Sequence, residues 1–587
     1  VTLFAGLMVK TRSRLFCHRL AAALMPALVM FAVSAAPAPA AIPENPAAGS
    51  RDDAVKAPDP LVRRIQEALA AARRYFGPVD GRFNADLDRA ARAYQKESGL
   101  KVDGLLTEAL ADHLETGEKV GALLLRLAGA RSANIDEARR ALLSRPATRR
   151  LLEGGDEPVA DPTRDAAPCF SNPTAFCLLA EAAESAMAVF KPEMRDWALG
   201  EVLAAQAKAG LTEEAMDSAR RIHDPRLIMV ALRDIAKAQA VAGRSDDALA
   251  AVEIIPDALR RLEALEAIAS TQAERSGDSG LKPTVERYLS ALKDIDDAGK
   301  QVAFRARLAE IMSRSGDNAA ALSHLTEAEA SARAIPEASQ RGAALRRVVS
   351  AIAETGDPER ALALLKEVDD KADHTPVLVS AATARMRAGD ADEALSIAAA
   401  IEAERYRAVM LSKIAVAQAG SGDRAAAQNT MDKAFVATGE IKLPFARDYA
   451  FSRIALAMIE IGDNEYAAAA QKAGNIDDAK LRATVLWTIA GKQRRAGFEE
   501  GAALTEKPAD EATAAIKSSL SRVWMFCDIA AGRFADGERE SARTAFGRAL
   551  AEAKDIKNAW GRARALSKVA STLIELSVDN VEKQPFE

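Results

Sequence analysis

Beyond Cys177 the chain repeats one arrangement of apolar and polar positions every 33 to 40 residues. Turn glycines stand at Gly210, Gly243, Gly277, Gly316, Gly356, Gly389, Gly422, Gly462, Gly497 and Gly537. In nine of these ten units an alanine follows five residues later, at Ala215, Ala248, Ala321, Ala361, Ala394, Ala427, Ala467, Ala502 and Ala542. Eight and seven residues before the glycine stands an apolar pair, as in Ile235-Ala236, Leu308-Ala309, Val348-Val349, Ile414-Ala415, Ile454-Ala455, Ile489-Ala490 and Ile529-Ala530. This spacing predicts a helix, a tight turn and a second antiparallel helix in each unit. The glycine ends the first helix in the left-handed conformation, and Asp317, Asp357, Asp390, Asp423 and Asp463 start the second. One such pair cannot bury its own apolar stripe, so neighbours must stack into a solenoid.

A different pattern precedes the array. Leu61, Ile65 and Leu69 predict an amphipathic helix ending near Gly77-Pro78-Val79-Asp80-Gly81-Arg82-Phe83. A second helix carries Leu87, Ala90, Ala91, Tyr94 and Gln95 and ends near Gly99-Leu100-Lys101-Val102-Asp103-Gly104. Leu110 and Leu114 mark a third. Two Val-Asp-Gly turns 23 residues apart indicate a small duplicated helical unit. Those turns, with Leu61…Ile65-Gln66…Leu69 and Ala93-Tyr94-Gln95…Gly99-Leu100, resemble the bacterial peptidoglycan-binding domain over residues 59–117. The resemblance implies a three-helix module with Asp80, Arg82, Tyr94 and Asp103 as candidate glycan contacts; turn capping and core packing are the competing roles. Asn84-Ala85-Asp86-Leu87 departs from that family's usual Gly-x-x-Thr helix start.

The repeat offsets resemble the tetratricopeptide repeat, with an armadillo-like solenoid as the alternative. The aromatic that family favours four residues before the glycine is replaced here by Gln206, Gln239, Met312, Ile352, Gln418 or Met458. The resemblance implies a concave groove lined by the first helices, with Trp197, Arg233, Lys237, Arg346, Tyr449, Trp487 and Trp524 as candidate partner contacts. Inter-repeat packing is the competing role for each tryptophan. The expected fold is therefore all-α, a small three-helix bundle plus an α-solenoid.

The beginning of the chain reads as an address. Lys10, Arg12, Arg14 and Arg19 precede an apolar run from Leu20 to Val33 and the small residues Ala35-Ala36-Pro37-Ala38-Pro39-Ala40. That is the layout of a secretory signal peptide over residues 1–40, and its apolar run is short for a membrane span. Its removal takes away four basic residues and changes the net charge from −5 to −9. The expected product is an acidic periplasmic protein of a Gram-negative bacterium, with no stable membrane span. A linker at 41–58 leads to the module. A helical connector at 118–152 carries Arg126, Arg131, Arg139, Arg140, Arg145, Arg149 and Arg150, either as a solvated face or as a docking site for an anionic polymer or lipid. A second linker covers 153–168, the array 169–578 and a tail 579–587. In an oxidising compartment Cys169 and Cys177, eight residues apart, are expected to form a disulfide.

Composition narrows the chemistry. Aromatics are 5% of residues, and there are four cysteines and five histidines in 587 residues. No zinc spacing, nucleophile elbow or phosphate loop occurs, so no metal, cofactor or catalytic residue is expected. Basic and acidic residues number 79 and 84, which gives no footprint for nucleic acid. The expected function is a non-enzymatic scaffold that binds peptidoglycan through its module and an envelope protein through its solenoid. Cell-wall hydrolysis and purely structural oligomerisation are the alternatives.

Overall fold

The computed structural model describes residues 58–152, 160–161, 164–275, 280–368, 374–462 and 465–577. The expected leader, the tail at 579–587 and most of both linkers lie outside these residues, as do Gly277 and Asp463. Among the described residues there are 27 helices and no strand. The chain divides into two compact units at Leu123–Leu124.

The first unit contains α1 (Pro60–Ala71), α2 (Ala85–Glu97) and the first half of α3 (Glu108–Leu143). Ile65, Leu69, Tyr75, Leu87, Ala91, Ala111 and Leu114 are buried together at its centre. Asn84 Oδ1 accepts the Leu87 N–H at 2.8 Å and so caps α2, which shows how the unit tolerates its unusual helix start. Arg64 on α1 ties down α3 by donating to Glu108, Asp112 and Glu115. Those hydrogen bonds, from Glu115 first, hold its guanidinium above the usual arginine range.

The second unit begins with the rest of α3, then α4 (Pro146–Arg149), α5 (Ala167–Ser171) and α6 (Ala175–Met187). The Cys169–Cys177 disulfide joins α5 to the first turn of α6. Helix pairs follow: α7 (Pro192–Lys208) with α8 (Thr212–Arg220), α9 (Pro225–Val241) with α10 (Ser245–Ile254), and α11 (Ala258–Ala273) with α12 (Leu281–Lys293). Next come α13 (Ala298–Arg314) with α14 (Asn318–Arg333), α15 (Ala338–Glu354) with α16 (Pro358–Leu365), and α17 (Thr375–Arg387) with α18 (Ala391–Ala399). The series continues with α19 (Glu404–Gly420) and α20 (Arg424–Gly439), then α21 (Pro444–Ile461) and α22 (Tyr466–Ala473). It ends with α23 (Ala479–Arg495) and α24 (Glu499–Ala515), α25 (Ser519–Ala535) and α26 (Arg539–Lys554), and a last helix, α27 (Ala559–Ser577).

The repeat signals take the predicted positions. Nine of the turn glycines have φ between 83° and 105°, a conformation costly for any residue with a Cβ. The residue after the glycine donates its N–H to the carbonyl four residues before it, as Asp423 does to Gln418 at 3.0 Å. Asp317, Asp357, Asp390 and Asp423 each accept a backbone N–H at the start of the following helix. The alanines five residues on are buried in eight of the nine units. In the unit of Gly462 the buried residue is Ala469 and Ala467 is exposed, because α22 begins late, at Tyr466.

Two further regularities join one pair to the next. Arg261, Arg341, Arg407, Arg482 and Arg522 each donate to the carbonyl of a buried isoleucine six residues earlier, and so cap the end of the preceding second helix. Two buried glutamines reach the preceding pair: Gln239, four residues before its glycine, donates from Nε2 to Thr212 Oγ1 at 3.4 Å, and Gln272, five residues before Gly277, donates from Nε2 to Ser245 Oγ at 3.2 Å. At Gln239 a polar rung thus stands where the tetratricopeptide pattern carries an aromatic ring.

The array closes on itself. Each first helix packs against the next, from α7 through α9, α11 and onward to α27, and α27 packs against α7. Helix α27 takes α6 as its antiparallel partner, so one further pair is assembled from opposite ends of the repeat region. Among the second helices, α22 and α24 alone make more than marginal contact. In a closed circuit the looser layer has the larger circumference, which puts the first helices on the inside.

At the seam, Arg564 of α27 is buried, with 4% exposure. Its Nη2 and Nε lie 2.7 and 2.9 Å from Oε1 of Glu201 on α7. Its guanidinium stacks 4.6 Å from the Trp560 ring and 4.8 Å from that of Trp197, which meet edge to face. Lys208 of α7 donates to Glu575 at 2.6 Å and to Ser571 Oγ at 3.0 Å on α27.

Glu201→Ala strands a buried guanidinium and should lower stability by about 2–4 kcal/mol, the lower part of the range for a broken buried pair because Glu201 keeps some solvent contact. Glu253→Ala, which breaks the exposed Arg287–Glu253 pair, should cost less than about 1 kcal/mol. Urea denaturation followed by circular dichroism separates the two outcomes.

Candidate functional site

Two twin turns dominate the first unit, each built around a buried glutamine. Gln66 accepts the Gly81 N–H at 2.7 Å, and its amide donates to Arg82 O at 3.0 Å and Asp80 Oδ1 at 3.2 Å. Gln95 accepts the Gly104 N–H at 2.9 Å and the Asp103 N–H at 3.2 Å, and donates to Asp103 Oδ1 at 3.0 Å. Each aspartate also accepts the backbone N–H two residues on, Arg82 at 2.9 Å and Leu105 at 3.1 Å. Those backbone N–H groups first, and the glutamine amides after them, hold both carboxyls below the usual aspartate range. Asp80 and Asp103 are thus occupied in shaping their turns.

Tyr94 is buried on α2, its hydroxyl 2.7 Å from His113 Nδ1. Arg82 is exposed on the first turn. Beside it Phe76 and Phe83 are 88% and 61% exposed, and Val102 and Leu105 are 48% and 56% exposed on the second turn. Exposed phenylalanines and an exposed guanidinium present flat apolar faces and hydrogen-bond donors, the pairing that suits sugar rings and carboxylates. The Val-Asp-Gly motif points to the polar members of these turns. The apolar members, Phe76 above all, emerge only from exposure.

The solenoid's candidate residues are dispersed around the ring. Trp197 and Trp524 gather at the seam, where the Trp524 ring lies 5.6 Å from Arg564 and 5.4 Å from Lys568. Trp487 is buried, donates its indole N–H to Thr513 Oγ1 at 3.0 Å, and packs against Phe526 and Arg548. Arg233 spans two first helices by pairing with Asp234 and, at 3.1 Å, with Glu263. Lys237 is exposed, Arg346 is half-buried near Gly342, and Tyr449 is 36% exposed.

The inner layer also holds Glu310 of α13. Burial first, then the charges of Glu354 and Glu266, push its carboxyl up to about 8 against the opposing pull of Arg314 and Arg307. Among the described residues, no group of three or more His, Cys, Asp or Glu side chains is placed to hold a metal.

Residues 58–114 match the family model of the putative peptidoglycan binding domain. The module described above is thus similar to that family over nearly its whole length, with both Val-Asp-Gly turns inside the match. No curated protein matches the chain. Among solved structures, Ton1535 from Thermococcus onnurineus NA1 is similar at 18% identity and a TM-score of 0.27, over 54% of this chain and 98% of that one. A circular tandem repeat protein with novel repeat topology is similar at 14% identity and a TM-score of 0.16, over 89% of this chain and 98% of that one.

In the N-terminal module, Gln66→Ala removes the partner of a buried N–H and should cost about 1–3 kcal/mol in thermal unfolding. Phe76→Ala should change module stability by no more than about 0.5 kcal/mol, because its ring faces water. In the ring, Glu310 binds its proton more tightly folded than unfolded. Its stabilising contribution is complete below its ordinary pKa of 4.5 and fades as pH rises toward about 8. Urea midpoints measured across that interval should fall for the wild type, and Glu310→Gln should flatten the slope.

Proposed function

We propose that the protein is a non-enzymatic periplasmic adaptor. Its N-terminal module holds peptidoglycan, and its tetratricopeptide-like solenoid holds an envelope protein. The observation that carries this reading is the module: two glutamine-braced turns, matched by a peptidoglycan-binding family, that present Phe76, Arg82 and Phe83 to solvent. The turns are rigid because their polar groups are internally satisfied, so their exposed side chains are held for contact at little entropic cost. Envelope localisation follows from the ligand, and the basic and apolar stretch at residues 1–40 is in keeping with export.

For the solenoid, the support is architectural. Helical repeats offer extended surfaces to protein partners, and here the first helices form a continuous inner layer carrying Arg233, Lys237, Arg346 and Tyr449 among others. The proposed boundaries are 59–117 for the module, 118–152 for the connector and 169–578 for the solenoid. Catalysis is assigned to neither part.

Sedimentation with purified sacculi tests the anchoring role. The chain 42–587 should co-sediment, and the chain lacking residues 42–117 should remain in the supernatant. Phe76→Ala with Phe83→Ala should weaken retention by about tenfold, the effect of losing two modest aromatic contacts. Equal retention of intact and truncated chains would remove the anchoring claim, and release of soluble muropeptides would replace the adaptor with a hydrolase.

A further inference from the structure

Ion pairs join neighbouring first helices along one part of the ring's inner layer. Arg233 reaches Glu263, Arg307 reaches Glu266, Lys568 reaches Asp528 and Arg564 reaches Glu201, each on the adjacent first helix. From α15 to α23 the same layer is differently charged. Arg346, Arg347, Arg387, Arg453 and Lys492 are half-buried or exposed there, and none makes an ion pair among the described residues. They stand 10, 9, 2, 9 and 5 residues before their turn glycines, on the inward face that Arg233, Asp234 and Lys208 share. The acidic residues of that face in this stretch, Glu354 and Glu460, both lie at one rim, and Glu354 already accepts from Ser380 Oγ at 3.0 Å.

Among these cations lie apolar side chains that water still reaches. Tyr406, Phe445 and Tyr449 are 43%, 67% and 36% exposed. Val409, Val416 and Leu456 are half-buried. Tyr406, Val409 and Val416 fall on one side of α19, and Phe445, Tyr449 and Leu456 on one side of α21, which packs against it. Closure limits what can reach this face. Eleven first helices form the circuit, so axes about 8–10 Å apart give a perimeter of about 100 Å. Helices about 10–12 Å thick then leave an opening of about 20 Å. An extended chain or a single helix passes through such an opening, and a folded domain does not.

We propose that the inner face from α15 to α23 docks an acidic segment of the protein partner, with apolar side chains spaced between its carboxylates. The proposal rests on the reading of the solenoid as a protein-binding part. Uncompensated cations call for carboxylates, and exposed tyrosine, phenylalanine and arginine are the residue types that anchor protein segments. The aliphatic members, Val409, Val416 and Leu456, select a peptide over an anionic polymer, which has no apolar side chains to set against them. A second copy of this face would bring cation against cation.

The test uses the chain 42–587 and three fluorescein-labelled probes followed by anisotropy. These are a peptide in which leucine and phenylalanine alternate with glutamate, its counterpart with lysine for glutamate, and polyglutamate. The acidic peptide should bind, more weakly as salt is added, and the lysine counterpart should not. Arg453→Glu should weaken binding by about fivefold or more, the worth of one exposed ion pair, and Tyr449→Ala by about fivefold, the worth of one aromatic contact. Arg543→Glu, at an exposed position of α26, should leave binding unchanged, and circular dichroism should be the same for all three variants. Failure of the acidic peptide to bind, equal binding of the lysine counterpart, or binding that survives both Arg453→Glu and Tyr449→Ala would overturn the proposal. So would polyglutamate binding as tight as the peptide's, because that outcome assigns the face to any polyanion. Photocrosslinking residues placed at position 449 and at position 237 on α9 separate this site from the reading beneath it. Protein adducts at 449 that the acidic peptide competes away support the site. Adducts at 237 alone overturn the site and leave the adaptor reading standing, and adducts at neither position remove both.

Discussion

The ring depends on a contact between residues 363 positions apart: Arg564 on Glu201, inside a cage that includes Trp197 and Trp560. Every other pair in the array is stabilised by its neighbours in sequence. An open solenoid leaves an apolar face at each end and needs polar caps to cover it. Here the terminal faces cover each other, with α27 supplying the first helix of the closing pair and α6 the second. The disulfide from Cys169 to Cys177 fixes the start of α6, whose pairing partner α27 comes from the other end of the array. A bridge over so short a loop contributes roughly 2–3 kcal/mol on the chain-entropy view, placed where closure would otherwise fray.

Buried polar groups do comparable work in both units. Gln66 and Gln95 brace the turns of the module, while Gln239 and Gln272 link consecutive pairs of the ring. In the module each amide donates and accepts at once, serving backbone groups that have no helix partner, whereas in the ring Gln239 and Gln272 act as donors, each to a hydroxyl of the preceding pair. In the module this frees the exposed phenylalanines from any structural duty. In the ring it joins alanine-rich helices that have few large side chains with which to interlock.

Much of this organisation is legible in the residues. Glycine spacing, the buried alanines and the aspartate caps are local signals, and local chemistry decides them. The Cys169–Cys177 bridge was legible from proximity and compartment. The shift from Ala467 to Ala469 was not, because the late start of α22 leaves no mark in the period. Isoleucine followed six residues later by arginine was available as a signal throughout the array, at Ile255, Ile335, Ile401, Ile476 and Ile516, and it identifies the joints between pairs. Closure is different in kind: it is the sum of many small rotations between pairs, and no single residue encodes that sum. Trp197, Trp524 and Trp560 carried a hint of it, since three of the chain's four tryptophans belong to its two ends. The exposed aromatic side chains of the module were hidden for another reason: Phe76 and Phe83 look like core residues until exposure is known.

Closure also sets the arithmetic of change. An open repeat protein can gain or lose a unit and merely become longer or shorter, with each remaining interface intact. A ring has no such freedom, because each added unit must be absorbed as a small change in angle at every joint. Duplication or deletion of a single helix pair would leave α27 and α6 out of register even if the altered pair were perfect in itself. The number of pairs in this array is therefore fixed as a whole number by closure, whereas a substitution at a single position leaves that number unchanged.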